Sequence, residues 1–303
     1  MHDSILSFKR QRYLWVAFLL CLASLVAYFW HQPVGAPPNG GTWLGYTLGG
    51  IGATLILWLL WFGIRKRRYR SGVGTLRGWL SAHVYLGSSL ILIVLLHSGF
   101  QVGWNVHTLA LTLMLLVIFS GFFGVFAYLR YPALMTRNRD NATRDAMIEE
   151  IADLDQAALQ LADAVDPAIH AIVLRSIERT VLGGGVWAQL TARDGSAEAL
   201  ENLRQAASSK EKGGDKAAPA ANRGQTMIVM VDFLAGQTKS DKQSENLRKL
   251  IDLMTRKKVL AERVARDIQL QALMEIWLYV HVPLSIALLG ALIAHVVSVL
   301  FYW

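Results

Sequence analysis

Two stretches of the chain, HVYLGSSLILIVLLH (His83–His97) and HVPLSIALLGALIAH (His281–His295), decide the fold. Each is an apolar segment with a histidine at both ends and thirteen residues between them. The chain contains 8 histidines, and four of them fall in these two frames. On an α-helix, a separation of fourteen positions brings two side chains to within about 40° of each other and about 21 Å apart along the axis. Each segment therefore predicts one helix that presents two imidazoles on nearly the same face, one near each end.

The sequence around these frames is that of a membrane protein. The chain has 303 residues, of which 53% are hydrophobic. Five apolar runs fall at about residues 13–30, 43–64, 79–99, 107–129 and 274–301. A helix needs about 20 apolar residues to cross a hydrocarbon core of about 30 Å, and each run comes near or above that length. The sequence therefore predicts an all-α integral membrane protein with five transmembrane helices, in contact with membrane lipid.

The positions of the charged residues predict the orientation. The 30 Lys and Arg residues fall in three regions, at residues 9–12, 65–77 and 130–266, and five crossings place all three on one side. Positive residues resist translocation, so this side is expected to be the cytoplasm, with the N-terminus inside and the C-terminus outside. We expect the cell inner membrane as the location. Because topology accounts for the net charge of +8, no nucleic-acid partner is expected.

The runs divide the chain into three parts. Residues 1–129 are expected to hold four transmembrane helices, residues 130–272 a large and mostly helical cytoplasmic insert, and residues 273–303 the fifth transmembrane helix. Within the insert, apolar positions recur at helical spacing in three stretches, at residues 141–165, 168–182 and 241–273. Residues 207–225 have the composition of a flexible linker, and QTMIVMVDFL (225–234) fits a short strand or the start of a helix. The insert has no dinucleotide or nucleotide fingerprint, so we expect a docking platform or a cap.

The predicted topology pairs the four histidines. The third and fifth spans both run outward, so His83 and His281 are expected near the cytoplasmic surface, and His97 and His295 near the outer surface. An ionisable residue in a span is costly and marks function, and neutral imidazole is a strong iron ligand. The pattern predicts two haems, held by His83 with His281 and by His97 with His295. The single cysteine, Cys21, excludes covalent attachment through CxxCH. The alternative is that the histidines form interhelical hydrogen bonds.

Small residues fall into two groups. Gly87 and Gly290 lie inside the two frames, where they would let a flat macrocycle approach the helix. The motifs GYTLGGIG (45–52) and SGFFG (120–124) lie on other spans and are interpreted as sites of close helix packing.

Three further residues near the frames are candidates for the same site. Arg77 lies six residues before His83 and is placed to bind a haem propionate. His107, at the start of the fourth span, could hydrogen-bond a quinone or relay a proton. Glu275 could carry protons to a quinone on the cytoplasmic side. For the last two, an interfacial residue with no special role is the alternative.

An H-x13-H frame on each of two membrane helices resembles the di-haem b-type cytochromes. These include the cytochrome b of quinol-oxidising complexes and the membrane domain of ferric reductases and NADPH oxidases. The resemblance covers spans three to five, about a third of the chain. It implies a four-helix bundle with His83, His97, His281 and His295 as axial haem ligands. Ferric reductases and oxidases add a flavin and nicotinamide domain, which this sequence does not show, and the cytochrome b of quinol-oxidising complexes has no insert of this size between its liganding helices.

These features together predict an electron-transfer subunit and not a self-contained enzyme. We expect it to carry electrons across the membrane between a quinone pool and a redox partner, such as an iron–sulfur, flavin or multihaem cytochrome protein. One alternative is a transmembrane reductase of an external acceptor, fed by a separate cytoplasmic flavoprotein. The other is a non-redox membrane scaffold or transporter.

Overall fold

The described part of the protein is helical, as the sequence predicts. The computed structural model describes residues 8–31, 40–67, 75–164, 167–180 and 241–301, and every regular element within these ranges is a helix. The helices are α1 (Arg12–Trp30), α2 (Trp43–Arg67), α3 (Leu76–Ser98), α4 (Val106–Arg139), α5 (Arg144–Asp163), α6 (Pro167–Arg179) and α7 (Asp241–Phe301). The predicted linker at 207–225 and the segment 225–234 lie outside the described residues.

Five of these helices, α1 to α4 and α7, are long and apolar enough to cross a membrane. They expose large apolar side chains, among them Trp15, Phe119, Ile286 and Leu300. Such side chains are stable against lipid but costly in water. The multi-pass membrane character predicted from the sequence is therefore supported.

Two helices extend by ten or more residues beyond the apolar runs that predict them. Helix α4 continues past residue 129 to Arg139 and contains Pro132. Helix α7 is a single helix of 61 residues that joins the amphipathic stretch after residue 241 to the last apolar run. Hydropathy marks where an apolar run ends, but backbone hydrogen bonding continues wherever the following residues tolerate a helix.

The chain forms two compact units. We call residues 1–128 and 277–303 the membrane unit and residues 129–276 the insert unit. In the membrane unit, α2, α3, α4 and α7 contribute to a buried cluster, the middle layer, which consists of Ile56, Leu90, Met114, Ile118 and Leu288. Leu90 and Leu288 each lie seven residues from both histidines of their own frame. The middle layer is therefore the aliphatic centre of the bundle, halfway between the two ends of each frame.

The insert unit has its own core. Thr143 caps α5 by accepting a hydrogen bond from the backbone nitrogen of Ala146 at 3.1 Å. Apolar residues of α5, α6 and α7 form two buried clusters: Met147, Ile151, Ala261, Val264 and Ile268 in one, and Ala158, Ala162, Val173, Leu250 and Met254 in the other. The 3.6-residue period of these positions is the signal that predicts the helices from the sequence.

A buried carboxylate on α7 gathers polar side chains in the insert unit. The Asp267 side chain is 0% exposed and lies 2.8 Å from Arg139 Nε and 2.7 Å from Arg144 Nη2. Burial raises the pKa of this carboxyl, but the hydrogen bonds from both arginines outweigh burial and hold the pKa below its usual value. Arg144 also donates to Gln271 Oε1 at 2.6 Å. Asp267 is therefore an ionised acceptor that ties α4 and α5 to α7.

A second buried ion pair lies between α5 and α7. Lys257, with a side chain 1% exposed, lies 2.6 Å from Asp155 Oδ1. It also donates a longer hydrogen bond of 3.4 Å to Ser176 Oγ on α6. Burial raises the pKa of the Asp155 carboxyl, and Lys257 opposes this rise. The lysine therefore connects three helices of the insert unit.

Candidate functional site

The two frames each lie within one helix, α3 and α7, so their histidines are placed as the sequence predicts along each axis. Helix α3 begins where Thr75 accepts a hydrogen bond from Gly78 N at 3.2 Å. It ends at Gly99, whose φ of 59° is left-handed. We call His83 with His281 the first pair and His97 with His295 the second pair.

The second pair lies close together across the bundle. The ring centroids of His97 and His295 are 6.0 Å apart, and the ring planes are nearly perpendicular, at 83°. An imidazole nitrogen binds a first-row metal ion at about 2 Å, so two imidazoles on opposite sides of one ion would have ring centroids about 6 Å apart. The spacing of the second pair therefore suits two ligands of one metal ion.

Helix α2 holds the His97 ring in a defined orientation. His97 Nδ1 lies 2.7 Å from the carbonyl oxygen of Gly45. A carbonyl only accepts, so Nδ1 carries the hydrogen and Nε2 keeps its lone pair. A Cβ at Gly49 would lie 2.7 Å from His97 Cε1 and 2.9 Å from Nδ1. Only glycine at position 49 therefore leaves room for this ring. The GYTLGGIG motif supplies both the close contact at Gly49 and the hydrogen-bond acceptor at Gly45.

Helix α4 holds His281 of the first pair in the same way. His281 Nδ1 lies 2.6 Å from Ser120 Oγ, and this hydroxyl is also 2.9 Å from the carbonyl oxygen of Val117. With the single hydroxyl hydrogen directed at the carbonyl, His281 Nδ1 would donate to Oγ and Nε2 would keep its lone pair. Trp277 donates through Nε1 to the Ser120 carbonyl at 2.7 Å and packs against Gly124. Its ring lies 5.3 Å from that of His281.

The remaining two histidines of the frames differ in their partners. His295 Nδ1 lies 2.7 Å from His107 Nδ1, with the rings at 89°. His83 has the backbone of Leu59 on α2 beside its imidazole, and its ring lies 5.2 Å from that of Phe62.

These arrangements fit haem ligation. Metal-binding histidines usually donate their second ring nitrogen to a protein acceptor, which fixes the tautomer and orients the ring. His97 and His281 have this arrangement, and His295 has a partner that can provide it. Within the described residues, no group of three or more His, Cys, Asp and Glu side chains forms a candidate metal site. A haem iron takes only its two axial ligands from the protein, so a pair of imidazoles suffices.

The other residues selected from the sequence lie in more varied surroundings. Arg77 is exposed on the first turn of α3. A Cβ at Gly87 would lie 3.8 Å from Leu59, whereas one at Gly290 would meet nothing within 4 Å. Glu275 accepts a hydrogen bond from Gln271 at 3.0 Å in the insert unit. Their proposed contacts with propionate, macrocycle or quinone stay predictions.

The partners of the imidazoles are the part of the site that sequence reasoning missed. Gly49 and Ser120 belong to motifs interpreted as helix packing. Gly52, a Cβ of which would lie 3.5 Å from Val94, does have that packing role. One sequence signal was available: Trp277 precedes His281 by four residues, as Trp79 precedes His83. A separation of four places two side chains on one helix face.

No family model, curated protein or solved structure matches this chain. The residues of the chain and their geometry are therefore the basis for assigning a function. The resemblance to di-haem cytochromes stays an interpretation of the four histidines.

Proposed function

We propose that the chain is a di-haem b-type cytochrome subunit that carries electrons across the membrane. The observation that carries this proposal is the state of the imidazoles in the membrane unit. His97 and His281 are each fixed through Nδ1, which leaves Nε2 with a lone pair. The ring centroids of the second pair are 6.0 Å apart, which is near the separation expected for two imidazoles on opposite sides of one iron.

The protein's own residues position the ligands and exclude water. Helix α2 orients His97, and helix α4 orients His281 and His295. The middle layer fills the bundle between the two pairs with aliphatic side chains. A haem with two imidazole ligands supplies one-electron transfer and offers no open coordination position. Two such groups about 21 Å apart would cover most of a core of about 30 Å.

In this proposal the chain works as one subunit of an oxidoreductase complex. Its donor or acceptor on one side is a quinone pool, and on the other side a redox partner protein. The clustered Lys and Arg residues favour an inner-membrane orientation with the insert in the cytoplasm. Substrate chemistry belongs to the partner subunits, because axial ligation by two histidines leaves no iron position for a substrate.

Reduced-minus-oxidised absorbance spectra of the purified chain, with haem counted per chain, test the proposal. We expect a low-spin b-type spectrum and two haems per chain. Alanine at His83, His97, His281 or His295 should each remove one haem. Alanine at His31 or His170, which lie outside the frames, should leave both and serves as the control. Retention of both haems in all four frame variants would refute the assignment.

The same preparation separates the alternatives. Copurified flavin with NADPH-dependent haem reduction would favour a transmembrane reductase fed by a flavoprotein. A colourless protein, expressed with sufficient haem supply, would favour a scaffold or transporter whose histidines pack or bind another metal.

A further inference from the structure

We propose that His107 is a positioning residue for His295, which gives the second pair a different electronic environment from the first. This inference rests on the proposed function and assigns His107 a role other than the quinone or proton role expected from the sequence. Its basis is the 2.7 Å contact between the Nδ1 atoms of the two rings.

His107 lies on a backbone that is held in place. It is the second residue of α4, and Asn105 Oδ1 accepts a hydrogen bond from Thr108 N at 3.0 Å. Gly103 N donates to Thr108 Oγ1, also at 3.0 Å. These bonds cap the helix on both sides of His107. The imidazole therefore projects from a fixed helix start, as an orienting group requires.

A hydrogen bond between two imidazole nitrogens needs one donor and one acceptor. If His295 is to bind a metal through Nε2, its Nδ1 carries the hydrogen and His107 Nδ1 accepts it. The perpendicular rings, with centroids 4.5 Å apart, are compatible with such an in-plane approach to one ring. His107 then fixes both the tautomer and the rotation of His295.

The identity of the acceptor differs between the two pairs. His281 Nδ1 faces the hydroxyl of Ser120, whereas His295 Nδ1 faces an imidazole nitrogen, which is a stronger base than a hydroxyl. An acceptor on the second nitrogen raises the basicity of a metal-bound histidine. A more basic axial ligand favours the oxidised metal. Removing His107 should therefore raise the reduction potential at the second pair and leave the first pair unchanged.

Redox titration of the purified full chain, followed by haem absorbance, tests this inference. In His107→Phe we expect one of the two redox waves to move to higher potential and the other to stay in place. His107→Gln keeps an acceptor and should move that wave less. Ser120→Ala is the matched control, because it removes the acceptor of His281 and should move the other wave.

Several results would overturn the inference. Unchanged waves in His107→Phe, with two haems retained, would show that His107 does not act on His295. Glutamine accepts a hydrogen bond but does not replace an imidazole as an iron ligand. Loss of a haem in both His107→Gln and His107→Phe would therefore assign His107 a ligand role. A wild-type chain without haem would refute the proposed function itself, and this inference with it.

Discussion

Gly49 offers a direct test of how the second pair is built. A Cβ at this position would lie 2.7 Å, 2.9 Å and 3.3 Å from three atoms of the His97 ring. Carbon atoms in contact prefer about 3.5–4.0 Å, so Gly49→Ala forces the ring away by close to 1 Å. That movement stretches the 2.7 Å bond from His97 Nδ1 to the Gly45 carbonyl beyond hydrogen-bonding range.

The cost of the substitution follows from that bond. Losing a hydrogen bond between neutral groups costs about 0.5–1.5 kcal/mol, and an unsatisfied buried partner adds to the loss. Disturbing a group that orients a metal ligand typically lowers metal affinity by about 10-fold to 100-fold. We therefore expect Gly49→Ala to reduce haem occupancy at the second pair and to lower the melting temperature of the purified protein.

Gly50→Ala is the matched control. It lies one residue further along α2, where a Cβ would meet nothing within 4 Å. Alanine is the better helix former by about 1 kcal/mol, so this variant should be neutral or slightly stabilising. Haem content and thermal unfolding should be measured on both variants in the same detergent. Equal melting temperatures and equal haem content in the two variants would refute the claim that Gly49 is needed to accommodate the His97 ring.

Two further predictions concern the insert unit. Because the folded-state pKa of Asp267 is held below its usual value, this carboxylate contributes stability above about pH 4 that is lost as the pH falls further. Asp267→Asn should cost about 3 kcal/mol at neutral pH and remove that part of the acid dependence, as measured by denaturant unfolding from pH 3 to 7; an unchanged acid profile would contradict this. Lys257→Met should also cost about 3 kcal/mol because it leaves Asp155 without its partner, whereas Lys258→Met, at a side chain 37% exposed, should change stability by less than about 0.5 kcal/mol. Equal losses in the two lysine variants would show that burial does not set the effect.

The spans and the histidine frames were predictable because both depend on local pattern. An apolar run long enough to cross a bilayer is readable without knowing its neighbours, and a fourteen-residue separation on one helix fixes the relative direction of two side chains. The ring centroids of His97 and His295 are 6.0 Å apart in the structure, and the topology from which the sequence paired them stays a prediction. The haems themselves stay a prediction.

The groups that hold the imidazoles were not predictable in the same way. Gly45 is 52 residues from His97, and Ser120 is 161 residues from His281. Glycine and serine are common on packed membrane helices, so their residue type does not separate a packing role from a hydrogen-bonding role. The distinction needs the rotation of each helix about its axis, which α2 and α4 do not reveal through their nearly uniform apolar composition.

The buried ion pairs of the insert unit were hidden for a related reason. Asp267 and Lys257 lie in a stretch of α7 rich in charged residues, most of which are exposed. Whether these two side chains are buried depends on which face of α7 packs against α5 and α6. It also depends on the arginines of α4 and α5 that bind Asp267. A helical period identifies an apolar face but does not identify the charged residues that are enclosed beside it.

The middle layer has a consequence for insulation. Its five side chains are Ile, Leu or Met, none of which takes up or releases a proton. If electrons pass between the two pairs, they can tunnel through this apolar layer. Protons cannot follow, because the layer has no group that binds or releases them. Moving one elementary charge across the full membrane involves about 2.3 kcal/mol per 100 mV of potential. A single polar substitution at Leu90 or Leu288 would therefore admit water and let protons leak. Such a leak would dissipate the membrane potential that electron transfer could build.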